Sequence, residues 1–172
     1  MRLLALIGAL AIIVGIAAAV YFFGGFYDVA AKEEPAPIAW VLTRVRAASI
    51  DRHAHEPPPG LLDDDATVHK GAQLFASLGC LGCHGGPGVK WLKFTEGMQP
   101  YPPDLKEIVG EREPRQLFWV LKHGIKMTGM PSFAAIGVAD PDIWAIVAFL
   151  KKLPTVSDAD FKAWSSGGAN PG

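Results

Sequence analysis

The stretch Gly79-Cys80-Leu81-Gly82-Cys83-His84-Gly85 decides how this chain folds, because it contains both cysteines of the 172-residue sequence and a histidine directly after the second. Thiols at this C-x-x-C spacing add to the two vinyl groups of one haem, and the adjacent histidine then reaches the iron. We therefore predict a single covalent haem c attached through Cys80 and Cys83, with His84 as the first axial ligand of the iron.

Three other uses of these residues are weaker. A zinc site takes about four ligands and usually has a second Cys or His cluster, which this sequence lacks. A thioredoxin-like redox pair belongs in a βαβ context, which is also missing. A structural disulfide between such close cysteines leaves His84 without a role.

The residues after the motif, Gly85-Gly86-Pro87-Gly88, cannot continue a helix. The chain is therefore expected to loop away beneath the haem, with Pro87 as a candidate haem contact. The neighbourhood of Pro87 is also expected to present a backbone carbonyl to the second ring nitrogen of His84, as partners of metal-bound histidines commonly do.

Two methionines, Met127 and Met130, are candidates for the sixth ligand of the iron. Met130 stands between Gly129 and Pro131, so its backbone is extended and its loop can lay the sulfur over a flat ring. We predict Met130 as the ligand, with Met127 left to packing and His123 less suited. A thioether here closes the iron to small molecules and raises its potential.

Apolar periodicity outside the motif predicts three helices, over residues 66–78, 114–123 and 141–153. Asp63, Asp64 and Asp65 precede the first of them, where carboxylates can cap its N–H groups. No strand-like alternation of useful length occurs. The predicted fold class is therefore all-α, a helical domain wrapped around its haem, with long loops.

The N-terminus is strongly apolar, with no charged residue from Leu3 to Phe26. This length suffices to cross a bilayer, and the aromatic residues at its far end suit the headgroup level. We predict a single transmembrane anchor over residues 1–27. A cleaved signal peptide is the alternative, since Val29-Ala30-Ala31 offers small residues for cleavage. Both place the remainder outside the cytoplasm.

The exported part divides into three segments by composition. Residues 28–65 are predicted to be a tether containing an amphipathic helix at 38–50 and a proline-rich linker. That helix is expected to lie in the headgroup layer, to dock on a partner or to pack on its own domain. Residues 66–155 form the predicted haem domain, and 156–172 a C-terminal tail.

Over residues 66–154 the chain resembles the membrane-anchored class I type monohaem cytochromes c. The resemblance lies in four features in order: Gly71-x-x-x-Phe75, Cys80 to His84, Gly129-Met130-Pro131 and Asp142-Ile143-Trp144. It implies that the first and last helices of the domain cross with Gly71, Phe75 and Trp144 at their contact, and that His84 and Met130 are the axial pair. Tyr101-Pro102-Pro103-Asp104-Leu105 also looks like the segment that runs along the haem edge, which makes Tyr101 a candidate haem contact.

The expected function is electron transfer, as a membrane-anchored carrier or as a non-catalytic cytochrome subunit on the periplasmic side of a bacterial inner membrane. Expected partners are a dehydrogenase, a quinol-oxidising complex or a terminal oxidase. The net charge of −1 gives no sign of nucleic-acid binding. Two alternatives stay open: a small-molecule sensor or peroxidase-like enzyme in which Met130 is displaced, and an assembly subunit with a structural haem.

Several polar and aromatic residues are secondary candidates for contacts with the haem or with a partner protein. Trp91 and Arg112 suit haem propionates as hydrogen-bond donors. A cationic rim for docking an acidic partner is predicted from four lysines: Lys122, Lys126, Lys151 and Lys152.

Overall fold

The computed structural model describes residues 1–30 and 32–166, and this part of the chain is helical. Its α-helices are α1 Arg2–Phe23, α2 Ala36–His53, α3 Asp65–Ser77, α4 Cys80–His84, α5 Leu105–Ile108, α6 Pro114–His123, α7 Asp140–Lys152 and α8 Asp158–Ser165. Short 3-10 helices lie at Lys93–Gly97, Val109–Glu111, Ala134–Ile136 and Leu153–Thr155. No strand occurs among the described residues, only an isolated bridge between Gly86 and Val89. The predicted all-α class is confirmed.

The chain divides into two compact units, Met1–Lys32 and Glu33–Gly172. The first unit contains α1, whose 22 residues include none that is buried. By length and composition α1 can cross a membrane. At its end, the N–H groups of Phe26 and Tyr27 both donate to the carbonyl of Tyr21, which folds the aromatic residues back onto the last turn.

The core of the second unit forms where α3 crosses α7. A Cβ atom at Gly71 would overlap the backbone carbonyl of Ala145, so only glycine allows the two helix backbones to approach this closely. One turn further along α3, Phe75 packs against Phe149 with ring centroids 5.3 Å apart. The contact expected at Gly71 and Phe75 is therefore present.

Trp144 differs from the expectation, because it does not supply the aromatic partner of α3. Its ring stacks on Phe118 of α6, with centroids 4.2 Å apart. Ala145 and Phe149 are four residues apart and share one face of α7, whereas Trp144 lies about 100° around the helix. The aromatic residue of α7 at this crossing is Phe149.

Local capping fixes where the helices begin. The Asp64 carboxylate accepts hydrogen bonds from the N–H and the hydroxyl of Thr67, as the acidic run predicts. These bonds lower the pKa of Asp64. At α6, Glu113 and Gln116 form a reciprocal capping box.

The segment predicted to be a tether docks on the helical domain that follows it. Ile50 and Ala54 at the end of α2 are buried, and Asp51 accepts a hydrogen bond from Gln116 of α6 at 2.5 Å. The ring of His53 stacks on Trp119, with centroids 6.1 Å apart. The C-terminal end of α2 is thus part of the folded unit, since it packs against α6.

Packing of the helical domain continues past the predicted boundary at residue 155. Val156 and Phe161 are buried in the core, and Trp164 lies on His69 of α3 with ring centroids 4.5 Å apart. Helix α8 therefore belongs to the domain, because its apolar residues cover the outer side of α3. Residues 167–172 of the predicted tail, and Ala31 of the predicted cleavage site, lie outside the described residues.

Candidate haem site

Both cysteines lie on α4, a five-residue helix that begins after Gly79. Gly79 has φ of +82°, a left-handed conformation that ends α3 and turns the chain into α4. Cys80 and Cys83 are both free thiols about one helical turn apart, so they lie on the same side of α4. This spacing suits two attachment points on one rigid ring.

The surroundings of Cys80 argue against a redox-active thiol pair. Burial raises the pKa of Cys80 to about 12, whereas reactive cysteines have a lowered pKa. A zinc cluster is not supported either. Within residues 1–30 and 32–166, no group of three or more His, Cys, Asp or Glu side chains is arranged to hold a metal ion.

The orientation of His84 is set by a hydrogen bond of 2.9 Å between its Nδ1 and the carbonyl oxygen of Pro103. A carbonyl only accepts, so the proton is on Nδ1, and Nε2 keeps its lone pair for a metal. Burial lowers the pKa of His84, opposed in part by the bond to Pro103 and by the charge of Asp104. The imidazole is therefore neutral at pH 7, which is its ligating form.

The partner of His84 corrects the expectation that placed this carbonyl near Pro87. The turn around Pro87 closes on itself, because Gly86 and Val89 exchange both backbone hydrogen bonds, at 2.9 and 3.0 Å. Pro87 itself is fully buried. The carbonyl instead comes from the segment that the sequence associates with the haem edge.

The chain after this turn folds back over the motif. The N–H of Leu92 donates to the carbonyl of Gly82 at 2.8 Å, and Trp91 meets Tyr101 edge to face, with centroids 6.1 Å apart. This segment exposes a series of large apolar side chains: Val89, Trp91, Leu92, Phe94 and Tyr101. It also borders a cleft beside His84, whose far wall includes Asp104 and Leu153.

Met130 lies in a loop that is tied to the end of α6. Its carbonyl accepts from Ile125 N–H at 3.2 Å, and its own N–H donates to the hydroxyl of Thr128 at 3.1 Å. Gly124 has φ of +68°, and a Cβ there would lie 2.7–2.8 Å from backbone atoms of Met130 and the next two residues. The loop is closed at its base, with Met130 half-buried against the core.

The other two candidates for the sixth ligand lie differently. Met127 is at the tip of the loop with φ of +59°, and 98% of its side chain is exposed. His123 is exposed, with its ring on Trp119 at a centroid distance of 5.2 Å. Only Met130 combines partial burial with a fixed loop.

Met98 is a residue of this region that the sequence did not single out. Its terminal methyl group lies against Gly129, where any Cβ would overlap it. The segment after the motif therefore touches the Met130 loop at this point. In the sequence, Gly129 directly before Met130 indicates that another group approaches the backbone there. It does not indicate that this group is the side chain of Met98.

Two of the four lysines in the predicted rim make contacts within the domain. Lys122 pairs with Asp140 at 2.9 Å and with Glu56 at 3.2 Å, and these bonds, led by the one to Asp140, raise its pKa. Lys151 donates to the carbonyls of Val109 and Arg112, each at 3.1 Å. The ammonium groups of both lysines therefore bind groups of the same chain. Lys126 and Lys152 remain exposed, as does the side chain of Arg112.

The donor set fits a haem c. Two free thiols and a neutral imidazole are presented on one helix, and the nearby segment is rich in apolar and aromatic side chains. A thioether lies in a fixed loop elsewhere in the same unit. Cys80 and Cys83 are thus suited to hold the porphyrin, and His84 and Met130 to hold its iron.

Known proteins share this region. Residues 66–150 match the family described as cytochrome c oxidase, cbb3-type, subunit III. Two relatives, both called cbb3-type cytochrome c oxidase subunit CcoP, come from Helicobacter pylori strain 52 and from Helicobacter pylori. Each is 33% identical over 93 residues, which cover 53% of this chain and only 30% of the relative's length. No solved structure matches the chain.

The matched residues contain the thiol motif, the Met130 loop and most of α7, so the family match and the fold describe the same part of the molecule. The all-helical domain follows one N-terminal helix able to cross a membrane. Residues 66–150 thus form a cytochrome c domain, and the chain is similar to the membrane-anchored cytochromes c.

Proposed function

We propose that this protein carries one haem c, covalently attached through Cys80 and Cys83, and passes single electrons between redox proteins of a respiratory complex. The observation that carries the proposal is α4, which presents both thiols and a neutral, oriented imidazole on about one turn. The haem supplies a reversible one-electron change at its iron. The protein supplies attachment, ligands and a packed surround.

Each axial ligand is held by a different part of the chain. His84 is oriented by Pro103, nineteen residues away, and Met130 by the closed loop that follows α6. We expect ligands fixed by separate segments to move little when the iron changes its oxidation state. A bound thioether also leaves no free coordination site for small molecules, which favours electron transfer over reactions at the iron.

The partner is proposed to be a terminal oxidase or another membrane redox complex, since the CcoP relatives are named as subunits of a cbb3-type oxidase. With α1 in a bacterial inner membrane and the single Arg2 on the cytoplasmic side, the haem domain faces the periplasm. The domain itself is then non-catalytic and relays electrons to or from the complex.

Haem attachment is tested first, by mass spectrometry of the denatured protein and by the pyridine haemochrome spectrum. We expect the added mass of one haem and the spectrum of a haem with both vinyl groups saturated. Cys83→Ala should shift that spectrum to one with a single unsaturated vinyl group. A protein that loses its haem on denaturation, or that binds more than one, contradicts the proposal.

The sixth ligand is tested by Met130→Ala, with Met127→Ala as the matched control from the same loop. Only Met130→Ala should remove the near-infrared absorption of ferric haem with a thioether ligand and lower the reduction potential. It should also open the ferrous iron to CO. Rapid CO binding to the unaltered protein would instead favour the sensor or peroxidase-like alternative.

A further inference from the structure

Helix α2 has an apolar side that its docking on α6 does not use. Four residues spaced three and four apart form one row along the N-terminal half of the helix: Ile38, Val41, Leu42 and Val45, hereafter the α2 stripe. Val41, Leu42 and Val45 are 49%, 53% and 61% exposed, and Ile38 is half-buried. An apolar row this exposed indicates an interaction surface.

The docked residues lie on the other side of the helix. At 100° per residue, the buried Ile50 lies about 130° around α2 from the centre of the stripe, and Asp51 lies about 130° from it in the other direction. The bond between Asp51 and Gln116 holds this end of the helix to α6. The haem domain therefore presents the α2 stripe outwards in a fixed orientation.

The residues that flank the stripe suit an anionic lipid surface. Arg44 and Arg46 lie on either side of it, about 100° away in each direction. Arginines at the edge of an apolar face contact lipid phosphate.

The length of the connecting chain favours the same surface. Eight residues, 28–35, separate the aromatic end of the anchor from the start of α2. Even fully extended, a segment of this length spans only about 30 Å. Whatever the arrangement of the two units, α2 stays within that reach of the membrane, so the effective concentration of lipid is high.

We infer that α2 lies in the headgroup layer of an anionic bilayer, with the α2 stripe toward the acyl chains and Arg44 and Arg46 on lipid phosphates. The helix then orients the haem domain as well as tethering it, because its opposite side is fixed to α6. The inference depends on the membrane anchor and not on the proposed electron transfer.

The test uses the full haem-loaded chain in bilayers of phosphatidylcholine with phosphatidylglycerol, and a photocrosslinking residue at one position. Val45→p-benzoylphenylalanine places the probe in the stripe. Thr43→p-benzoylphenylalanine is the matched control, exposed on the same helix but about 160° around it. An unchanged haem spectrum shows that each variant is folded. We expect lipid adducts at position 45 in several-fold higher yield than at 43.

Three results would overturn the inference: equal lipid yields at the two positions, dimers of the chain crosslinked through position 45, or capture of another polypeptide there in native membranes. The double variant Arg44→Gln with Arg46→Gln tests the charge. It should lower the lipid yield at position 45 in bilayers that contain phosphatidylglycerol and leave it unchanged in phosphatidylcholine alone. Loss of haem redox activity with normal lipid adducts would refute only the proposed function.

Discussion

Replacing Gly71 by alanine tests the helix crossing on which the domain is built. The new Cβ would overlap the carbonyl of Ala145 and lie 2.9 Å from the Cβ of Phe149. Both obstacles are close to backbone, so a rotamer change cannot relieve them. Overpacking of this kind costs about 1–3 kcal/mol, and the stiff surroundings point to the upper end.

Part of that cost is offset, because alanine favours the interior of a helix over glycine by about 1 kcal/mol. We therefore expect the free energy of unfolding to fall by about 2 kcal/mol. For a domain of this size the melting temperature should fall by roughly 6–10 °C. Guanidinium unfolding of the haem-loaded protein in detergent, followed by far-ultraviolet circular dichroism, measures the change.

Gly110→Ala is the matched control, since nothing lies within 4 Å of a Cβ at that position. Its free energy of unfolding should stay within about 0.5 kcal/mol of the unaltered protein. If the two variants unfold at the same denaturant concentration, the helices can separate at little cost. The argument that glycine is required at the crossing would then be wrong.

Three further changes test other parts of the domain. Asp64→Ala should lower the thermal stability of the protein at pH 7 because it removes the helix cap. Since the bonds to Thr67 lower the pKa of Asp64 below 3.8, the difference in stability from the unaltered protein should shrink as the pH falls below about 4. Asp64→Asn, which still caps the helix, is the control in thermal melts. Phe161→Ala should lower the free energy of unfolding in denaturant by about 3–5 kcal/mol. A decrease of less than about 1 kcal/mol would mean that α8 is not part of the core. Gly124→Ala should weaken thioether ligation in the near-infrared spectrum, whereas Gly137→Ala, which has positive φ but nothing within 4 Å, should only lower stability.

The candidate residues of the site could be identified from the sequence because they follow from short spacings. The thiols and His84 lie within five residues, and the loop around Met130 is determined by the glycine and proline beside it. Exposure of Met127 and partial burial of Met130 agree with that preference. Such features need no knowledge of how distant segments meet.

The partner of His84 could not be predicted, because the bond to Pro103 joins residues nineteen apart across an irregular loop. The docking of α2 is a similar case, since Asp51 meets Gln116 from 65 residues away. Hydrophobic periodicity shows that a helix has an apolar side but not which surface covers it.

Helix α8 was different, because its signals were present in the sequence. Ser157 caps the helix by accepting from the N–H of Asp160 at 3.1 Å, and Phe161 and Trp164 lie three residues apart on one side of it. The predicted domain boundary at 155 nevertheless left this helix in the C-terminal tail, one residue after Pro154. This proline ends α7 within two residues but leaves the chain free to begin another helix.

The two proposed axial ligands are held by different segments of the chain. His84 depends on the carbonyl of Pro103, just before α5, and Met130 on the loop after α6. Lys151 of α7 donates to two carbonyls in the connection between α5 and α6. This lysine therefore fixes the connection between α5 and α6 to α7. Because its ammonium group is used by two backbone carbonyls, Lys151 is less suited to dock a partner than Lys126 and Lys152, whose side chains are exposed.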